Sequence, residues 1–357
     1  MNPLEAVVVQ RLGHALTARV QDHLPGWAEE AGRRRGQSAA AFTAAVERGE
    51  EAAVEALIEE AVVRETYLFR HPSQLQLAAN RVAPRAHPGR PLRIWSAGCS
   101  TGEEVCSFAI ALREYGVPAE AMELLGTDIS AQAIATAQQG SYGTWSFRAT
   151  PAELKARYFQ PEGTLQRLRE PLRGRMLFAR HNLLSQAPAQ GFDVILCRNV
   201  LLYFQPDRAR AVLATLAAAL GPVGLLVLGY PELTVSAGLG LQPVEDHDVT
   251  VLARPPAAGV ADAAPARAPA PMPAPQRPAR APAEPRAAGP RSDSEEASQC
   301  LQDALAAEQR GDYATALVAA RRAGYLQPSL EAAHALKTSA LRRLQAAGQA
   351  DGDGRGS

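Results

Sequence analysis

RIWSAGCSTGEEVCSFAI, from Arg93 to Ile110, decides how this chain is read. A short apolar run leads into Gly98, Ser100 and Gly102, and apolar residues at helical spacing follow. The pattern is strand, small-residue turn, helix. Such a turn usually presents a helix N-terminus to a phosphate. Here Glu103 and Glu104 stand in the first helical turn, where carboxylates already answer the positive end of the helix dipole and repel an anion. One of the two can serve as a cap; the pair together argues against a pyrophosphate.

The neighbouring stretches extend the reading. MELLGTD ends at Asp128, about 25 residues beyond the glycines, where a carboxylate can accept hydrogen bonds from ribose hydroxyls. Asp128 can equally cap the next helix, since DIS precedes AQAIATAQQ. FDVILCRNVLLYF brings Arg198, Asn199 and Tyr203 to a third strand end. In open parallel sheets ligands bind beyond the carboxyl ends of strands, so these positions converge on one crevice. A ligand carrying ribose, adenine and positive charge suits the acidic turn. S-adenosylmethionine, with a sulfonium, an ammonium and no phosphate, has that chemistry.

LRIWSA, MELLGTD, RMLFAR, FDVILCRN and GLLVLGY are strand-length apolar runs, several of them separated by helical segments at 103–115, 130–139 and 205–220. This alternation predicts a largely parallel sheet covered on both faces. The charged, Pro- and Gly-containing piece near 140–175 is too long for a simple connection and reads as an inserted subdomain. LQPVEDHDVTVLAR reads as an edge hairpin with Asp246-His247-Asp248 in its turn. Residues 1–90 read as a helical domain and 91–254 as the α/β domain. Residues 255–294 are rich in Pro, Ala and Arg and are expected to form a disordered tether. Beyond it, 295–348 is helical, and Gly311, Tyr313, Ala316, Ala323 and Pro328 fall as in a tetratricopeptide repeat.

Lys+Arg and Asp+Glu balance at 37 each, so net charge offers nothing toward nucleic acid or an anionic membrane. Arg33-Arg34-Arg35 reads as a solvated helix end or a contact for a partner's helices. Four cysteines without CxxC spacing, and no secretory pattern in the first twenty residues, predict reduced thiols in a cytoplasmic protein. No metal-ligand spacing is evident. Ala209–Tyr230 is apolar, but Gly221-Pro222 interrupts it, so a buried helix followed by a strand is expected rather than a membrane span.

ETYLFR, SAGCSTGEEVCSFAI, GTDIS, HNLL and FDVILCRNVLLYF, in that order, resemble the CheR family of S-adenosylmethionine-dependent methyltransferases, which esterify glutamates of chemoreceptors. The resemblance covers roughly residues 1–254. It implies a helical N-terminal domain and a Rossmann-like class I methyltransferase domain with a mixed, mostly parallel sheet. By motif position it places Thr66, Arg70, Gly98, Glu103, Asp128, Asn182, Leu183, Arg198 and Asn199 around the cofactor. Asn182 and Leu183 would border the adenine, and Arg198 and Asn199 the methyl-bearing side. The chain departs from the pattern at Arg64, where many members have Asn, and it lacks the tri-glycine run of members that bind a receptor's C-terminal pentapeptide. The repeat after a Pro/Ala tether resembles the subgroup that includes the WspC-type methyltransferases, associated with surface sensing and biofilm formation.

The implied substrate is the cytoplasmic helical bundle of a methyl-accepting receptor, with a separate protein partner for the repeat and no membrane insertion. A glutamate acceptor, with a pKa near 4.3, is ionised at neutral pH and needs no general base. No catalytic residue is therefore assigned, and Tyr203 is a candidate for orienting the substrate. Rival readings are a methyltransferase of other specificity, a dinucleotide-dependent oxidoreductase, which the acidic turn disfavours, and an inactive scaffold acting through the repeat.

Overall fold

The computed structural model describes residues 1–87, 89–230, 232–246, 249–255 and 293–310, together with Ala316, Ala319, Ala320, Ala323, Ala332, Leu336 and Ser339. The chain forms two compact units, Met1–Pro278 and Ala279–Ser357.

In the first unit, α1 (Pro3–Gln10), α2 (Ala18–Arg34), α3 (Ala39–Glu47) and α4 (Glu51–Ala61) precede the sheet. Asn2, Thr17 and Ser38 cap the first three, each accepting a backbone N–H of the first turn. Their apolar stripes meet in a separate core that includes Phe42, Leu57 and Ile58. Helix α5 (Pro72–Val82) belongs elsewhere: Leu75, Leu77 and Val82 pack into the core under the sheet.

The sheet is built from β1 (Leu92–Ala97), β2 (Met122–Asp128), β6 (Met176–Arg180), β7 (Phe192–Cys197), β8 (Leu220–Leu228), β9 (Gln242–Asp246) and β10 (Val249–Ala253). Their order is β6-β2-β1-β7-β8-β10-β9, with the first five strands parallel and the β9–β10 hairpin antiparallel at one edge. This is the mostly parallel mixed sheet of a methyltransferase fold. Both faces are covered. Alternate residues of the strands divide between two cores: Ile94, Leu196 and Val227 face α5 and α6 (Glu103–Glu114), while Trp95, Cys197 and Leu228 face α9 (Pro206–Ala219). The long apolar stretch resolves as α9 running directly into β8. Gly221-Pro222 lies inside the strand's irregular start rather than at its boundary, and Val223 takes a φ of 55° there.

Helix α7 (Ala131–Gln139) follows β2. After it, β3 (Ser141–Tyr142), α8 (Ala152–Tyr158), β4 (Phe159–Glu162) and β5 (Leu165–Leu168) form the inserted piece, with its own sheet ordered β3-β5-β4.

Specific polar links bind the N-terminal helices to the sheet. Glu59 of α4 is buried and caps α7 from outside: it accepts the Ala131 N–H at 2.7 Å and the Ser130 hydroxyl at 2.5 Å. Arg180 pairs with Glu55, and Asn182 Nδ2 donates to the Arg11 carbonyl at 2.7 Å. The arginine cluster is occupied within the helical domain. Arg33 and Arg34 share Glu30, Arg34 also meets Glu60, and Arg35 donates to the Ala52 carbonyl.

In the second unit, α10 (Asp293–Gln309) buries Ala304 against Ala320 and Leu336, and Cys300 against Ala323. Ala316 is also buried, whereas Gly311, Tyr313, Pro328 and the expected tether at 256–292 lie outside the described residues. Among the described residues no helix is long and apolar enough to cross a membrane, and no group of side chains is arranged to hold a metal ion.

Candidate functional site

The turn after β1 is built to be narrow. Gly98, Ser100 and Gly102 have φ of 82°, 49° and 93°. A Cβ at Gly98 would come within 2.6 Å of Val200 Cγ2, so only glycine lets the β1 and β7 loops meet. The Ser100 N–H donates to Asp128 Oδ2 at 2.8 Å and the Ser130 N–H to Oδ1 at 2.9 Å, so Asp128 fastens both the turn and the start of α7. Burial pushes its carboxyl above the ordinary range, while those backbone N–H groups pull the other way.

A pocket opens beyond the carboxyl ends of β1, β2, β6 and β7. Its wall includes Gly98, Asp128, Asn182, Leu183, Arg198, Asn199 and Tyr203, together with Thr66 and Arg70 from the segment before α5. These residues, scattered through the sequence, are brought together as expected. Glu103 is not among them. It is 3% exposed, and its carboxylate accepts the Thr101 hydroxyl at 2.6 Å and the Ser146 hydroxyl at 2.8 Å, tying the turn to the inserted piece. The neighbouring Glu104, one residue round the helix, lines the pocket instead.

Glu104 is held by the Ser96 hydroxyl at 2.7 Å and by Arg198 Nε at 2.7 Å. The Arg198 side chain is 2% exposed, and its Nη1 donates to the Arg70 carbonyl at 2.7 Å. Arg198 thus holds in place the strap Thr66–Arg70, whose Phe69 takes a left-handed φ of 59°, as does the following His71 at 51°. Asn182 uses both ends of its amide on backbone, donating to Arg11 and accepting the Leu184 N–H at 3.0 Å. Arg64 points away, toward Gln132 at 2.9 Å and Glu59 at 3.6 Å, and does not line the pocket.

Several wall residues carry no mark of a site in the sequence. Leu12 and His14 come from the segment after α1, whose Ala15 N–H donates to the Tyr203 carbonyl and whose Gly13 carbonyl accepts the Gln205 N–H. Burial lowers the His14 pKa from 6.5 to about 4, so the ring is neutral at pH 7. His181 stands just before the Asn182-Leu183 pair, its ring edge-on to Trp95, and burial lowers its pKa as well. Only its place in HNLL hints at it.

The fold and this crevice at the strand ends define a methyltransferase of the Rossmann-like class. A family model described as CheR methyltransferase, SAM binding domain, matches residues 64–243, and the chain belongs to that family. Its cofactor is S-adenosylmethionine. Relatives include two proteins named probable biofilm formation methyltransferase WspC. That of Pseudomonas putida is 36% identical over 53% of this chain and 46% of its own length. That of Pseudomonas aeruginosa is 36% identical over 54% and 47%. Chemotaxis protein methyltransferase 1 of Pseudomonas aeruginosa is 33% identical over 50% of this chain and 69% of its own length. The chain therefore spans about half the length of the first two relatives it matches.

The pocket's polar inventory fits the cofactor. Arg70 Nε, His181 Nε2 and Asn199 Oδ1 are buried in its wall without a hydrogen-bond partner within the protein. Buried polar atoms of this kind are costly unless a ligand answers them. Of the carboxylates that the described residues place in the wall, Glu104 is paired with Arg198 and Glu65 with Arg148, which leaves Asp128 as the one outside an ion pair and available to a cationic or hydroxyl-bearing guest.

Proposed function

We propose that this chain transfers the methyl group of S-adenosylmethionine to glutamate side chains of a methyl-accepting chemotaxis-type receptor, in chemosensory or surface-sensing signalling. The observation that carries the reading is the conjunction of a CheR-family domain with three unanswered polar atoms in one pocket. The names of the relatives, chemotaxis and biofilm formation methyltransferases, support the receptor as substrate.

When bound, the cofactor supplies an electrophilic methyl group on a sulfonium. The chain's own work is placement. Arg70 Nε would donate to the cofactor's carboxylate, and Asn199 Oδ1 would accept from a cationic group. Asp128 supplies the negative charge that is not already paired within the protein. A glutamate acceptor arrives ionised at neutral pH, so the site needs to hold its oxygen about 3–3.5 Å from the methyl carbon rather than to deprotonate it. Tyr203, on the wall beside Asn199, is the residue we assign to orienting that carboxylate.

In this reading residues 1–90 and 91–254 act together as the catalytic part, the stretch from 255 up to the start of α10 at Asp293 is a tether, and the helices from there to 348 are a repeat module that recruits a protein partner in the cytoplasm. The test is incubation with methyl-labelled cofactor and receptor cytoplasmic fragments, followed by mapping of base-labile methyl esters. Esters at receptor glutamates are expected. Cofactor binding without transfer would refute the enzyme and leave the scaffold.

A further inference from the structure

We infer that Glu232 is a positioning residue for cofactor binding: its buried carboxylate holds the Asn199-Val200 turn so that Asn199 Oδ1 faces the pocket. The inference deepens the reading of the pocket as a cofactor site and rests on it.

Glu232 follows β8 and is 1% exposed, yet it lies outside the pocket wall. The turn that carries it is tight, with the Glu232 N–H donating to the Gly229 carbonyl at 3.1 Å. A Cβ at Gly229 would collide with Glu232 Oε2, so glycine there is what makes room for the carboxylate. Across the strand ends, Glu232 Oε1 accepts the Val200 N–H at 2.8 Å. Burial raises its carboxyl above the ordinary range, against the pull of its own N–H and of those of Val200, Leu201 and Asn199, which face it. Consecutive backbone N–H groups thus form a nest around the protein's own carboxylate, with the Val200 N–H making the hydrogen bond and Oε2 buried without a partner among the described residues.

What the nest holds is an uncommon turn. Asn199 takes a φ of 60°, an uncommon conformation for a side-chain-bearing residue, and its Oδ1 is buried in the pocket wall with no protein partner. Val200 in turn packs against Gly98. One carboxylate thus links the ends of β8, β7 and β1. Among the described residues no second acceptor takes the Val200 N–H, so without the carboxylate Asn199 loses the support for its orientation.

The test is a double-mutant cycle read by calorimetric titration with S-adenosylhomocysteine, which reports binding without turnover. Glu232→Gln keeps the volume and an acceptor for the Val200 N–H but removes the charge that the Asn199, Val200 and Leu201 N–H groups face. It is expected to weaken affinity about tenfold, equivalent to about 1.4 kcal/mol. Asn199→Ala is expected to weaken it similarly, and the double variant to bind no more weakly than Asn199→Ala alone. Unchanged affinity in Glu232→Gln, or an equal further loss in the Asn199→Ala background, would overturn the inference, because a residue serving only the fold adds its cost in either background. If Glu232→Gln does not fold, Glu232→Asp is compared in the same two backgrounds with the same criteria. Failure of the wild-type chain to bind would instead sink the cofactor reading itself.

Discussion

Replacing Arg198 by lysine separates charge from geometry. In the wild type, Nε reaches Glu104 at 2.7 Å while Nη1 reaches the Arg70 carbonyl at 2.7 Å. A guanidinium serves both because its N–H groups diverge in one plane; a shorter, single-centred ammonium keeps one. A hydrogen bond to a charged group contributes about 1.5–3 kcal/mol, so Arg198→Lys is expected to lose about that much. For a unit of this size the melting temperature should fall by roughly 3–12 °C. The strap that carries Thr66 and Arg70 into the pocket loosens as well, so affinity for S-adenosylhomocysteine should fall with it. Arg198→Ala should cost more, about 3–5 kcal/mol, because Glu104, 11% exposed, is left with the Ser96 hydroxyl alone. Glu104→Gln in that background should recover part of the loss. The assays are thermal unfolding and calorimetric titration. An Arg198→Lys protein with unchanged melting temperature and affinity would refute the reasoning.

Tyr203→Phe should lower turnover on receptor fragments more than it lowers cofactor affinity; equal turnover removes Tyr203 from the mechanism. Glu59→Gln exchanges a charged cap of α7 for a neutral one and should destabilise the first unit by about 1–2 kcal/mol in urea unfolding. An unchanged midpoint would show that the link between α4 and α7 contributes nothing. His14 has a folded pKa of about 4 against 6.5 when unfolded, so the unfolded chain takes up the proton first as pH falls. The contribution is full above pH 6.5 and is lost progressively toward pH 4, to a total of about 3 kcal/mol. His14→Phe should flatten that part of the pH–stability profile, and an unaltered slope would contradict the assignment.

The sheet is legible in the sequence because its strands are short, mostly apolar runs, several of them separated by helical segments. Neighbouring residues such as Ile94 and Trp95, or Leu196 and Cys197, enter opposite cores, and a run apolar at every position demands two covered faces. The glycine turn is legible because Gly98 has a single tolerable side chain, namely none. What the sequence leaves open is phase and distance. Glu103 and Glu104 are indistinguishable in a string, and only the rotation of the first helical turn sends one to Ser146 and the other to Arg198. His14 contributes through a contact with Tyr203 and Phe204, nearly 190 residues away, with no local pattern to announce it. Helix α5 falls within the stretch read as the N-terminal helical domain, yet its apolar face belongs to the sheet. Periodicity states that a face is buried, not against what.

The most direct measurement is calorimetric titration of the purified chain with S-adenosylhomocysteine and, in parallel, with NAD. The account predicts one-to-one binding of the former, weakened by Arg70→Ala and Asn199→Ala, and no heat from the latter. Binding of NAD with none of the sulfur nucleoside would contradict it.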